Sequence, residues 1–352
     1  MRSPSLWYDE TLNKVFRYGG WPYRTTNATP DMRTDLWSFQ PGGRTIYWSR
    51  EKNPAENGLS IGSSAPYGAA WTASDSVFYS LGGSINASLP SVLVKDFVQY
   101  DASTGTWSNT KTSIPGNSGF ISQAQAVIAP NFGKQGYIVI VGGVNPPQKN
   151  NEFGSGTFLM NMSNVILYDV DSKTWYVQKA TGDIPPPRTE FCVVGSASAD
   201  RKTYELFIYG GMTNYTYDLN HPDDLGYLSV YTLSLPAFTW FRSPSNTTVR
   251  RCSHTCTILG KRQMMSFGGR LPSTRNAYGA DPDPWASGLG IFDMTESAWK
   301  DHYDAAAEPY DRPDMVKGYY NNSYVEPVWS DPMLASTFEA NSIFTTSTEF
   351  FT

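Results

Sequence analysis

Tyr137-Ile138-Val139-Ile140-Val141-Gly142-Gly143 is an apolar run stopped by two glycines, and the order of the residues after it decides the fold: a loop, an apolar segment reaching Tyr168, a polar turn at Asp171-Ser172-Lys173, then Trp175. Five strand-forming residues bounded by glycine read as a buried strand. The same order recurs four more times. The other doublets are Gly19-Gly20, Gly82-Gly83, Gly210-Gly211 and Gly268-Gly269, each closing an apolar run. Their aromatic and indole pairs are Phe39 with Trp48, Tyr100 with Trp107, Tyr231 with Trp240, and Phe292 with Trp299. Chance pairs in a glycine-rich chain would not repeat that order. Successive doublets lie 63, 60, 68 and 58 residues apart, which is the self-similarity of a repeat architecture.

The pattern resembles kelch repeats over residues 3–305. The resemblance implies an all-β fold, a kelch-type β-propeller with five recognisable four-stranded blades at about 3–52, 65–112, 119–181, 186–243 and 249–304. In each blade the second strand ends in the glycines, the third carries the Tyr or Phe and the fourth the Trp. Glycine lacks Cβ, so another backbone can approach it closely and its φ is free to turn positive. Aromatics fill the roughly 10 Å layer between packed sheets. Turn formers at Asp101 to Gly105 and Thr295 to Ser297 suit the outer hairpins, and Pro185-Pro186-Pro187 and Pro244 separate units. Residues 306–352 are expected to form a C-terminal extension, either adding a strand through Met315 to Tyr320 or folding as a cap with a partly disordered tail.

Several words are similar to the secreted or membrane-anchored kelch proteins of filamentous fungi: Ser5-Leu6-Trp7-Tyr8-Asp9, Phe191-Cys192, His254-Thr255-Cys256, Arg262 to Gly269, and Pro313 to Tyr320 followed by Trp329-Ser330-Asp331-Pro332. That resemblance implies a signal peptide, a sixth blade upstream and a downstream anchor in the full-length protein, none of which is read in this chain. It also implies an extracellular or cell-surface location, with membrane association only through such an anchor. Six Asn-X-Ser/Thr sequons fit that setting as glycosylation sites: Asn27, Asn86, Asn161, Asn214, Asn246 and Asn321.

Charge narrows the partners. The chain has 27 Lys and Arg against 32 Asp and Glu, with no basic run beyond pairs, so nucleic acid is excluded as a natural partner. No stretch approaches the eighteen apolar residues of a membrane helix. Three cysteines, Cys192, Cys252 and Cys256, fall on or beside inner strands of blades four and five. Adjacent inner strands bring Cys192 toward Cys256, and a bridge there would contribute about 4 kcal/mol on a chain-entropy argument. Three buried, reduced thiols are the other reading.

Catalysis finds little support in the inventory. A copper radical oxidase of the galactose-oxidase-like kelch group gathers imidazoles and phenolates at its axis, but the three histidines here, His221, His254 and His302, map to a loop, an inner strand and an outer strand. Cys252, His254 and Cys256 lack a second cluster to complete a four-ligand metal site, and no metal or cofactor is expected. The carboxylates Asp223-Asp224 and Asp281 with Asp283 sit in polar loops. The long loops after the doublets carry Trp21, Tyr23, Tyr215, Tyr217, Arg270, Tyr278 and Trp285. Aromatics on loops of a rigid scaffold are recognition anchors. The reading is therefore a non-catalytic module binding a protein or cell-wall glycan; packing of the loops by their own aromatics, and an enzyme of the galactose-oxidase-like group, are the alternatives.

Overall fold

The structure is a computed structural model and describes residues 4–20, 35–52, 66–74, 76–84, 93–146, 158–212, 228–244, 249–271, 283 and 285–339. They build five antiparallel sheets, the blade units of the β-propeller fold class. The first comprises β1 (Ser5–Asp9), β2 (Lys14–Tyr18), β3 (Trp37–Phe39) and β4 (Ser49–Arg50), and the second β5 (Ala70–Ser74), β6 (Val77–Leu81), β7 (Asp96–Asp101) and β8 (Thr106–Lys111). The third holds β9 (Gln125–Ala129), β10 (Tyr137–Val141), β11 (Asn164–Asp169) and β12 (Thr174–Lys179). In the fourth, β14 (Cys192–Ala197), β15 (Tyr204–Tyr209), β16 (Tyr231–Leu235) and β17 (Thr239–Arg242) gain a short parallel edge strand, β13 (Thr181–Gly182). The fifth is β18 (Thr255–Leu259), β19 (Gln263–Phe267), β20 (Leu289–Asp293) and β21 (Ala298–Lys300). Every doublet follows the second strand of the repeat: β2, β6, β10, β15 and β19.

The outer hairpins explain three of the aromatic and indole pairs. Tyr100 lies directly opposite Trp107, Tyr168 opposite Trp175, and Phe292 opposite Trp299. In each case the next residue is an aspartate whose carboxylate accepts backbone N–H groups of the turn, at 2.9 Å from Ser103, 3.0 Å from Asp171 and 3.0 Å from Thr295. That Asx turn fixes the hairpin length and so the register. The fourth sheet departs from the expectation. There Ser234 stands in the aspartate's place, the turn runs through Pro236, and Trp240 faces Leu233 rather than Tyr231. In the first sheet Trp48 falls just before β4, with its ring 4.7 Å from Phe39 and 43% of its surface exposed.

Two compact units divide the chain, Met1–Ile128 with Gly142–Leu159, and Ala129–Val141 with Met160–Thr352. In the first, Trp7 stacks on Phe78 at 4.1 Å and on Phe16 at 5.2 Å, and Tyr18 meets Trp107 at 5.0 Å. The Trp107 indole N–H donates to the Lys52 carbonyl at 3.1 Å, so this indole fills the layer and also ties down the neighbouring sheet. The core of the second unit includes Cys192, Phe207, Tyr209, Met264, Phe292 and Tyr310. Its counterpart tie is Trp240, 1% exposed, donating to the Met162 carbonyl at 3.0 Å.

The C-terminal extension is helical where a strand or irregular cap was expected. Pro313 precedes α1 (Asp314–Asn322), where its missing N–H costs nothing, and α2 (Pro332–Glu339) begins with a proline for the same reason. The extension is anchored along one register of the sheets. Five residues before each doublet stand Tyr137, Glu205 and Gln263. Tyr137 contacts the Phe338 ring at 5.0 Å; Glu205 accepts from the Tyr310 hydroxyl at 2.9 Å; Gln263 exchanges two hydrogen bonds with the Asp304 backbone, at 2.6 and 2.9 Å. Phe338 is fully buried against Phe132 and Phe238, worth about 2 to 3 kcal/mol of apolar burial.

Candidate functional site

The chemistry gathers where the doublets meet the turn that enters each inner strand. Four residues before β5, β9, β14 and β18 stand Pro66, Ile121, Arg188 and Arg251. The next residue of each turn bridges the residue after the same sheet's doublet: Tyr67 with Ser84, Ser122 with Val144, Thr189 with Met212, and Cys252 with Arg270. The third residue then takes a positive φ, at Gly68 (64°), Gln123 (56°), Glu190 (55°) and Ser253 (54°). Sequence reading missed this turn because its residues differ in type; what recurs is backbone shape, and only the shared Arg188-x-x and Arg251-x-x spacing hinted at it.

The turn explains the glycines. Gly83 N–H donates to the Ile121 carbonyl at 2.7 Å and Gly211 N–H to the Arg251 carbonyl at 2.8 Å. A Cβ on Gly82 would lie 2.1 Å from the Ile121 oxygen, and one on Gly210 2.2 Å from the Arg251 oxygen. Gln123 N–H bonds the Gly68 carbonyl at 2.6 Å, and Ser253 N–H the Glu190 carbonyl at 2.8 Å. Backbone thus stitches one turn to the next.

Charged groups at sheets four and five serve this scaffold. Arg188 is fully buried, donating to the Gly210 carbonyl at 2.9 Å and the Pro186 carbonyl at 3.0 Å while lying over the Tyr231 ring. Arg270, 4% exposed, pairs with Glu190 at 3.0 Å, and Glu190 also accepts from the Ser253 hydroxyl. Arg251 reaches Asp283 at 3.3 Å and lies over Trp285. Burial, reinforced by the Arg251 charge, pushes the His254 imidazole down to about 3, so it is neutral at ordinary pH. Burial, with the Glu190 charge beside it, raises the Cys252 thiol to about 12, which leaves no thiolate to act as a nucleophile. Cys192 and Cys256 are joined as a disulfide with Cα atoms 5.5 Å apart.

Of the recognition residues read from sequence, Arg270 and Trp285 are described. Arg270 is held in the ion pair above, and Trp285 stacks on Trp299 at 5.8 Å, over the bare backbone of Gly290. Both contact the scaffold. Trp21, Tyr23, Tyr215, Tyr217 and Tyr278 lie outside the described residues, as do Asn27, Asn86, Asn214, Asn246 and His221. Asn161, Asn321 and His302 are exposed, and His254 is buried.

Repeated four-stranded sheets locked through paired glycines define a repeat protein of the β-propeller class. The model of the KLHDC2/KLHL20/DRC7 Kelch-repeats domain matches residues 132–315, and the chain belongs to the Kelch-repeat family. It is similar to a Kelch repeat-containing protein of Arthroderma benhamiae, 25% identical over 341 residues covering 85% of this chain and 47% of that protein. It is also similar to Host cell factor of Drosophila melanogaster, 27% identical over 131 residues covering 36% of this chain and 8% of that protein. The chain spans less than half the length of either relative.

Proposed function

We propose that the chain is a non-catalytic interaction module that holds a protein partner on the loops following its doublets, in a secreted or cell-surface protein. One observation carries the reading: in the second to fifth sheets the doublet end is fixed by backbone or by buried ion pairs, and from it springs the connection between the second and third strands. A rigid base under variable loops is how scaffolds present recognition residues. Family membership supports the same role. The described titratable groups here are neutral or paired within the scaffold, which offers no acid, base or nucleophile to a substrate.

The test compares the chain with a Trp21→Ala, Tyr215→Ala, Tyr278→Ala variant, using immobilised protein against secreted proteins of the source culture and against a cell-wall glycan array. Capture of a defined protein, lost in the variant at unchanged thermal stability, is the expected result. Binding confined to the glycan array would replace the protein partner by a glycan, and capture unaffected by the three substitutions would overturn the loop surface. Peptide mapping after deglycosylation checks the compartment; unmodified Asn27 and Asn214 would remove it from the secretory route. Stoichiometric copper with peroxide production would favour the oxidase alternative.

A further inference from the structure

Around the inner strands of the fourth and fifth sheets, Cys192 opens β14, Cys256 is the second residue of β18, and His254 stands just before that strand. One ligand atom from each of the three lies within 4.8 Å of the others. Cys192 and His254 are buried, at 3% and 7% exposure, while Cys256 is half-buried, so the group is reached from the solvent side of β18. Neither ring nitrogen of His254 finds a hydrogen-bond partner of good geometry among the described residues. That is costly for a buried imidazole and unusual in a native interior. Its Tyr209 neighbour presents a ring edge-on at 5.4 Å and brings its backbone within reach of the imidazole.

We propose that these three side chains form a redox-gated binding site for a soft monovalent d10 cation, Cu(I), open only when the Cys192–Cys256 bond is reduced. Two thiolates and one imidazole are the soft donor set that selects such an ion. Three donors and no described carboxylate suit its trigonal coordination better than the four-ligand shell of a structural zinc. While the two sulfurs are bonded to each other, neither is a thiolate and the set is incomplete. Opening needs a two-electron reductant, a dithiol or a phosphine. A dithiol leaves as its cyclic disulfide and delivers two hydrogens to the sulfurs; a phosphine takes up the oxygen of one water, whose two hydrogens do the same. Cu(I) then displaces the two thiol protons to solvent.

The test reduces the whole chain with a water-soluble phosphine, removes the reductant without air, and titrates Cu(I), added as its acetonitrile complex, against bicinchoninate. The reduced protein is expected to withhold one equivalent per chain, and the oxidised protein none. Cys192→Ser and Cys256→Ser should abolish retention, His254→Gln should weaken it at least tenfold, and Cys252→Ser should leave it unchanged. Equal retention by His254→Gln and the natural chain would overturn the imidazole's role and with it the site. Retention lost in Cys252→Ser, retention by the oxidised chain, or loss of the native circular dichroism on reduction alone would each overturn it too.

Discussion

Gly210 and Gly268 occupy the same place in consecutive repeats, with φ of 70° and 69°, yet their surroundings differ completely. A Cβ on Gly210 would sit 2.2 Å from the Arg251 carbonyl oxygen and 2.6 Å from the His254 ring, whereas one on Gly268 would meet nothing within 4 Å. Nearby, Tyr209 is fully buried and its counterpart Phe267 is 39% exposed. The motif therefore does two separable things. In the fifth sheet only the left-handed turn requires glycine; in the fourth, close approach of the next turn requires it as well. Gly210→Ala is expected to cost about 4 kcal/mol or more, because backbone has to move, while Gly268→Ala costs about 1 to 2 kcal/mol of φ strain alone. Urea denaturation of the two variants measures this, and equal losses would dissolve the distinction.

The outer indoles divide in the same way. Trp240 is buried and donates to the Met162 carbonyl, while Trp48 is 43% exposed and lies outside its strand. Trp240→Ala should destabilise by about 3 to 5 kcal/mol, and Trp48→Ala by less than about 1 kcal/mol. A Trp48 variant as damaged as the Trp240 one would show that its position in the repeat, and not burial, governs the cost.

A third pair tests charge. Glu205 and Gln263 share a register and both anchor the C-terminal extension, but only one ionises. Burial raises the Glu205 carboxyl to about 7, against the opposing hydrogen bonds from Thr203, Ser234 and Tyr310 and the Arg312 charge. Tyr204 and Tyr320 also face it, and both phenols are themselves raised by burial and by its charge. Since an unfolded glutamate titrates near 4.3, the folded chain binds this proton more tightly. Its contribution is full below about pH 4, is lost as pH rises toward 7, and is flat above. Linkage puts that loss on the order of 3 kcal/mol. Subtracting the stability profile of Glu205→Gln from that of the natural chain isolates it; a difference independent of pH would mean that the folded carboxyl binds its proton no more tightly than the unfolded one.

These pairs also show what the sequence could and could not reveal. Doublets and indoles were legible because a hairpin joins residues that are close in the chain, and Asp101, Asp169 and Asp293 hold its length constant. Where Ser234 stands in place of the aspartate, Tyr231 and Trp240 still lie on the third and fourth strands, but Trp240 faces Leu233. The inner turns were invisible because a carbonyl at Ile121 or Arg251 acts without regard to side chain. The contacts of Trp285 with Gly290 and Trp299 were not legible because tertiary packing alone brings them together. The helices of the extension carried a local signal in Pro313-Asp314 and Asp331-Pro332, outweighed by the expectation of another strand.

The smallest expected effect is the sharpest check on the opening contrast. Phe267, Leu289 and Ile258 on the fifth sheet are 39%, 44% and 37% exposed, so Phe267→Ser removes a ring that already meets water. Its expected cost is within about 1 kcal/mol, whereas Tyr209→Ser at the equivalent place empties a fully buried site and breaks the hydroxyl's 2.5 Å bond to the Val249 carbonyl, costing about 3 to 5 kcal/mol. Urea midpoints at two protein concentrations give both numbers. If Phe267→Ser cost more than about 2 kcal/mol, something would have to cover that face in solution. A midpoint that rose with protein concentration would identify a second copy of the chain as the cover.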